Sequence, residues 1–145
     1  MKISTKGRYA LRLLLDLAEH ENDGFISLKE IAARQNISKQ YLEQIVAILN
    51  PSNILRANRG KQGGYMLAKK PSQCTVGHIL RLTEGSLVPV ACLEDETNQC
   101  ERAKYCKTLS MWIGLDKVIN DYLESITLQD MMGQCPNESA DHYTI

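Results

Sequence analysis

Three cysteines, Cys92, Cys100 and Cys106, fall within fifteen residues, separated by seven and then five others. Soft thiolates at that density select zinc or iron–sulfur clusters. The spacing is that of neither a zinc finger nor a ferredoxin. Three readings therefore stay open: one metal centre on a flexible loop, a disulfide switch, or unrelated thiols. Cys74 falls at a helix cap and reads as core, and Cys135 lies in the tail. An odd count of five without a signal peptide argues against a disulfide framework.

A second set of residues suits a polyanion. Lys39, Gln40, Glu43 and Gln44 recur on one face of a helical stretch, with Ser38 and Tyr41 near its start. Gln pairs bidentately with adenine, and Glu accepts from cytosine N4 while repelling phosphate. Ser and Tyr hydroxyls bond phosphate oxygens, which fixes orientation without reading sequence. Arg59, Gly60 and Lys61 follow on a Gly-rich tip, and an Arg at a narrow tip suits the minor groove of double-stranded DNA. Lys2, Lys6, Arg8 and Arg12 are either further phosphate contacts or a solvated face. Catalysis has no support: His20, His78 and His142 are scattered, and no nucleophile–base pair or phosphate loop occurs.

The elements that must carry these residues are mainly helical. Ala10, Leu13, Leu14 and Leu17 mark a first amphipathic helix, stopped by Asn22-Asp23-Gly24. Ser27 to Glu30 has the form of a capping box that opens a short helix to about Arg34, with Leu28, Ile31 and Ala32 inward. After a turn at Gln35-Asn36-Ile37, Ser38 caps a third helix with Leu42, Ile45, Val46 and Leu49 on its apolar side. Two short helices across such a turn form a helix-turn-helix. A strand from Ile54, a tip at Arg59–Gly64 and a returning strand at Tyr65–Ala68 add a basic hairpin, which makes a winged helix.

Beyond Pro71 a helix with Val76, Ile79, Leu80 and Thr83 on one face ends at Gly85. The cysteine segment, Val88–Tyr105, has no periodicity and reads as a loop. In a long helix from about Thr108 to Ser125, Trp112, Leu115, Ile119, Tyr122 and Ile126 follow the 3, 4, 3, 4 spacing of a coiled-coil seam, hence a homodimer. Thr127–Asp130 is a second capping-box form. The organisation is thus residues 1–72, a winged helix-turn-helix with its recognition helix at about 38–49 and wing at about 54–68; 73–107, a connecting helix and cysteine loop; 108–132, a dimerisation helix and short end helix; and 133–145, a polar tail expected to be mobile.

Charge follows the same division. Residues 1–70 hold 12 Lys/Arg against 6 Asp/Glu, and residues 71–145 hold 5 against 11. A basic amino half fits contact with nucleic acid. No apolar run approaches the roughly 18 residues that span a bilayer, and the N-terminus lacks a cleavage site, so a cytoplasmic protein without a membrane partner is expected.

Five stretches are similar to one family: STKGRYAL at Ser4–Leu11, ISKQYLEQI at Ile37–Ile45, RGKQGGYML at Arg59–Leu67, the TVGHIL helix start, and ITLQDM at Ile126–Met131. From Met1 to about Met132 the chain resembles the IscR-type iron–sulfur cluster regulators of the Rrf-two winged-helix family. The resemblance implies a dimeric transcription regulator whose C-terminal helix pairs with its twin. It also implies a 2Fe–2S cluster held by Cys92, Cys100 and Cys106, promoter binding set by cluster occupancy, cluster-assembly genes among the targets, and DNA contacts from Glu43, Gln44 and Arg59.

Two positions depart from the family's pattern. Leu109 stands where relatives often have a ligating His, three residues after the last cysteine. The fourth donor is then absent, or is Asp95, Glu96, Glu101, His20, His78, His142, Cys74, a group of the partner subunit, or an exogenous thiol or water. Gln40 stands where relatives often have a small residue, which bears on operator preference. ISKQYLEQ also fits the family's cluster-free repressors of cysteine metabolism, which sense through a partner enzyme; the three loop cysteines weigh against that reading. An iron–sulfur electron carrier would leave the basic winged helix unexplained.

Overall fold

The computed structural model describes residues 1–134; Cys135, His142 and most of the expected tail lie outside them. Helix α1 spans Thr5–Glu19, opened by Ser4, whose Oγ accepts the Gly7 N–H. Its apolar repeat, Ala10, Leu13, Leu14 and Leu17, is buried as the spacing requires. A 3-10 turn at Glu21–Asp23 and Gly24 at φ 76° end it.

Helix α2 is Leu28–Gln35 and α3 is Lys39–Leu49. Ser27 Oγ accepts the Glu30 N–H (3.2 Å), and Ser38 Oγ accepts the Tyr41 N–H (3.1 Å). Each hydroxyl satisfies one of the amides that a helix start leaves without a partner. Ser27 makes only this half of the expected capping box. Between the two helices Asn36 takes the left-handed conformation (φ 53°), which Asn tolerates better than most residues.

Strands β1 (Leu55–Asn58) and β2 (Gly64–Leu67) pair antiparallel, with Leu55 opposite Leu67 and Asn58 opposite Gly64. The hairpin is tied down by a contact the sequence did not announce. Ile26 and Tyr65 exchange backbone hydrogen bonds (2.8 and 2.9 Å), forming an isolated antiparallel bridge that docks β2 beside the start of α2. Gly64 permits this approach, because a Cβ there would run into the Ile26 carbonyl.

Helix α4 (Val76–Glu84) starts at Thr75, whose Oγ1 accepts the His78 N–H, and ends at Gly85 at φ 78°. After the loop, which contains one 3-10 turn at Ala91–Leu93, come α5 (Leu109–Ser125) and α6 (Leu128–Met131). The Thr127–Asp130 capping box is present in both directions.

The main core joins α1 to the helix-turn-helix, wing and end helix through Leu13, Leu14, Ile31, Leu42, Ile45, Ile54, Ile79 and Leu128, with Cys74 inside it as expected. A smaller cluster of Val76, Leu80 and Leu87 takes Leu123 and Ile126 against its edge. Helix α5 has no fully buried residue. Its polar anchor is Glu124, which accepts from the Arg81 guanidinium and from Thr75 Oγ1 (3.0 Å). The hydrogen bond from Arg81 is the main reason the Glu124 carboxyl sits below the usual range, with Thr75 adding to it. Among the described residues, no helix is long and apolar enough to cross a membrane.

Candidate nucleic-acid interface and cysteine loop

The core dictates which side of α3 remains outside. Leu42, Ile45, Val46 and Leu49 point inward, so Lys39, Gln40, Glu43 and Gln44 are exposed together. Lys39 and Glu43 lie one turn apart with Nζ and Oε1 4.0 Å from each other, a loose and solvated ion pair. Ser38 is exposed, and although its Oγ accepts the cap bond its hydroxyl hydrogen stays free to donate. Tyr41 is half-buried, its ring meeting that of Tyr9 edge-on (centroids 5.5 Å apart, planes at 79°).

The wing presents its charge where the spacing predicts. Arg59, Gly60 and Lys61 are all exposed at the tip. Gly60 has φ 124°, a conformation that side chains disfavour, and its carbonyl accepts the Gly63 N–H (3.0 Å) to close the turn. An exposed cationic tip on a short two-stranded arm and an exposed polar helix face are the two features suited to a phosphate backbone and to base edges.

Of the four basic residues near the amino end, two make hydrogen bonds within the chain. Arg8 Nη2 donates to Thr5 Oγ1 (2.9 Å). Arg12 donates from Nε to Gln35 Oε1 (3.2 Å) and from Nη2 to the Gln35 carbonyl. These bonds use two of the five guanidinium N–H donors of an exposed side chain, so donors remain for a phosphate. Lys2 and Lys6 are exposed.

The cysteine loop is laid out less tightly than a cluster requires. Cys92 and Cys106 are half-buried and Cys100 is exposed, all as free thiols. Cys100 and Cys106 line one hollow of about 440 Å³ together with Arg102, Tyr105, Lys107 and Thr108; Cys92 is outside it. Among the described residues, no three His, Cys, Asp or Glu side chains come together as a metal-holding group. None of the described candidates for a fourth ligand is gathered with the three thiols either. As a donor set, however, the residues fit a soft metal centre. Three thiols share one segment without helix or strand, which holds a 3-10 turn at Ala91–Leu93 and a hydrogen-bonded turn at 101–105, and thiols at that density are the donors a soft metal takes. Cys106 shares a 3.3 Å hydrogen bond with Thr108 Oγ1, which is the first cause holding its thiol below the usual range; backbone N–H groups at Thr108 and Leu109 and the Arg102 charge assist. Burial instead pushes the Cys74 thiol up, which keeps it protonated and inert.

On α5 the outward stripe differs from the expected seam. Leu115 and Tyr122 are exposed as expected, but Trp112, Ile119 and Ile126 are half-buried. Met111 and Val118 complete the exposed stripe with spacings of 4, 3 and 4, and Ile113 stands beside it. The two readings share Leu115 and Tyr122. Arg81 bonds Glu124 and Asn120, and Leu123 and Ile126 pack inward, which leaves the opposite side of α5 outward. The exposure of Met111 and Val118 was readable as an overlapping heptad. Arg102 and Tyr105 gave no comparable periodic signal.

Comparison with known proteins adds a family. A family described as Rrf2, iron-dependent transcriptional regulator, matches residues 3–134. The chain is 41% identical to the HTH-type transcriptional regulator CymR of Bacillus subtilis (strain 168), over 95% of this chain and 94% of that protein. The solved structure of CymR, described as the global cysteine regulator of B. subtilis, superposes with a TM-score of 0.75 over 90% of this chain and 95% of that one. The structure of T. potens IscR does so with a TM-score of 0.70 at 36% identity, covering 100% and 93%.

Proposed function

This chain belongs to the Rrf2 family of DNA-binding transcription regulators, and from that premise we propose that it binds operator DNA as a homodimer whose affinity or sequence choice responds to an iron–sulfur cluster on the cysteine loop. The observation that carries the DNA half is that the polar face of α3 and the cationic tip of the wing are both left exposed by the one core they share. Gln40, Glu43 and Gln44 read base edges in a major groove. Ser38 and Tyr41 bond phosphate. Arg59, Gly60 and Lys61 enter the adjoining minor groove, where Gly60 lets the backbone approach closely. Two copies, joined along the exposed α5 stripe, set their recognition helices about one helical turn apart.

Cys92, Cys100 and Cys106 would hold the cluster once the loop draws them together. A bound cluster supplies reversible one-electron redox chemistry and lability toward oxidants. The chain's own part is to present the thiols: Thr108 Oγ1 shares a hydrogen bond with the Cys106 thiol (3.3 Å), and the loop hangs between α4 and α5, the latter carrying the proposed dimer stripe. The similarity to the global cysteine regulator CymR favours a second reading, a cluster-free regulator that follows cysteine metabolism through a partner enzyme.

Anaerobically purified protein decides between them. The first reading expects a brown protein with iron and acid-labile sulfide, both lost when Cys92, Cys100 and Cys106 are replaced by Ala. A colourless, iron-free protein with full operator affinity leaves the second. Binding itself is checked by salt titration, where affinity should fall about 10³-fold between roughly 50 and 200 mM salt if about six phosphates are met. Indifference to duplex DNA at low salt overturns both readings.

A further inference from the structure

Helix α1 carries two stripes. The apolar one fills the core. The other runs through Tyr9, Arg12 and Asp16, spaced by three and four residues and therefore aligned along one side of the helix. Asp16 is only 2% exposed. It accepts Arg34 Nε (3.0 Å) and Nη2 (2.7 Å) and Gln35 Nε2 (3.0 Å). Arg12 takes the Gln35 carbonyl, one of the acceptors that the end of α2 leaves open, together with Gln35 Oε1. The Arg12 guanidinium also lies 5.1 Å over the ring of Tyr9, and that ring meets Tyr41 edge-on. Both sides of the turn at Asn36 are thus clamped to one surface: the last residues of α2 by Asp16 and Arg12, the first turn of α3 by Tyr9.

Apolar burial under α3 holds its depth but is non-directional. Charge-assisted hydrogen bonds and an edge-on aromatic contact do fix orientation. We infer that Tyr9, Arg12 and Asp16 are positioning residues for DNA recognition, which set the rotation of α3 against α1 and so the aim of Gln40, Glu43 and Gln44, without touching DNA themselves. The inference rests on α3 being the DNA-facing helix. It gives a cationic side chain near the reading head a role inside the protein in place of a phosphate contact.

Affinity and its salt dependence separate the two roles. The probes are a duplex enriched from a random-sequence library by the parent protein and a scrambled duplex of equal composition. Arg12→Gln and Tyr9→Leu should each lower affinity for the enriched duplex by about tenfold or more. Affinity for the scrambled duplex and the slope of log K against log salt should stay at parent values. Tyr9→Phe, which keeps the ring, and thermal melts close to that of the parent exclude hydroxyl contact and global unfolding as causes. If Arg12→Gln weakens both duplexes equally and lowers the slope by about one, Arg12 is a phosphate ligand and the inference fails. It fails too if both variants bind as the parent does. Failure of the parent to enrich any duplex overturns the reading of α3 as the DNA-facing helix, a different result from either of these.

Discussion

Among the described residues, Asp16 is the buried charged side chain. Burial would raise its pKa, but hydrogen bonds from Arg34 and Gln35, with the charges of Arg34 and His20, carry it below the ordinary carboxylate value. A carboxyl depressed in the folded state stabilises the fold above its unfolded pKa, and that contribution is lost as pH falls through the folded value. Acid destabilisation from this site therefore sets in below about pH 4. Asp16→Asn should cost about 2–3 kcal/mol at neutral pH, since it leaves hydrogen bonds to a charged group unmade. Urea melts of parent and variant at neutral and acid pH should converge as the parent carboxyl protonates; a constant gap would show that charge is not what the network uses. At the wing, Arg59→Ala should cost about 1–3 kcal/mol of operator binding, read by fluorescence anisotropy at fixed salt. Unchanged binding would remove the tip from the interface.

Elements whose signals are local were legible before any coordinates. Ser27, Ser38 and Thr127 each announce a helix start, because an N-cap contacts amides only two or three residues on, and all three caps are made. Ser38→Ala should therefore cost about 1 kcal/mol of stability, measured by denaturant melts. The wing hairpin was legible from Gly and alternation, but its tie to Ile26 was not, since that pairing joins positions 39 residues apart and leaves no pattern at either. Gly64 marks it only in retrospect. Gly64→Ala should push β2 off Ile26 and weaken operator binding more than Gly60→Ala weakens the fold; amide exchange at Tyr65 and Ile26 reports the loss directly. On α5 the expected seam and the exposed stripe share Leu115 and Tyr122, and the side chains that Glu124 and Asn120 bond left no sign in the spacing. The cysteines were legible as a donor set by their density, whereas their placement depends on a loop that no periodicity constrains.

At the scale of the molecule, the parts are coupled through α1 and α4. Ser4 donates from N (3.1 Å) and Oγ (2.6 Å) to Glu84 Oε1, which pins the start of α1 to the end of α4, and α4 in turn holds α5 through Arg81 and Thr75. The proposed dimer stripe and the reading head thus sit on one continuous frame. Val118→Glu places a charge in the centre of the exposed stripe and should yield monomers by sedimentation, with operator affinity collapsing while weak binding to scrambled DNA persists. A dimeric variant would place the interface elsewhere. One consequence follows from α5, the longest helix, having no residue fully shielded by its own chain. In the proposed dimer the partner would cover its exposed stripe, so folding and pairing would share a single equilibrium. Dilution then acts as a denaturant: the melting temperature should climb as protein concentration rises, and operator occupancy inside a cell becomes a readout of how much regulator has been made.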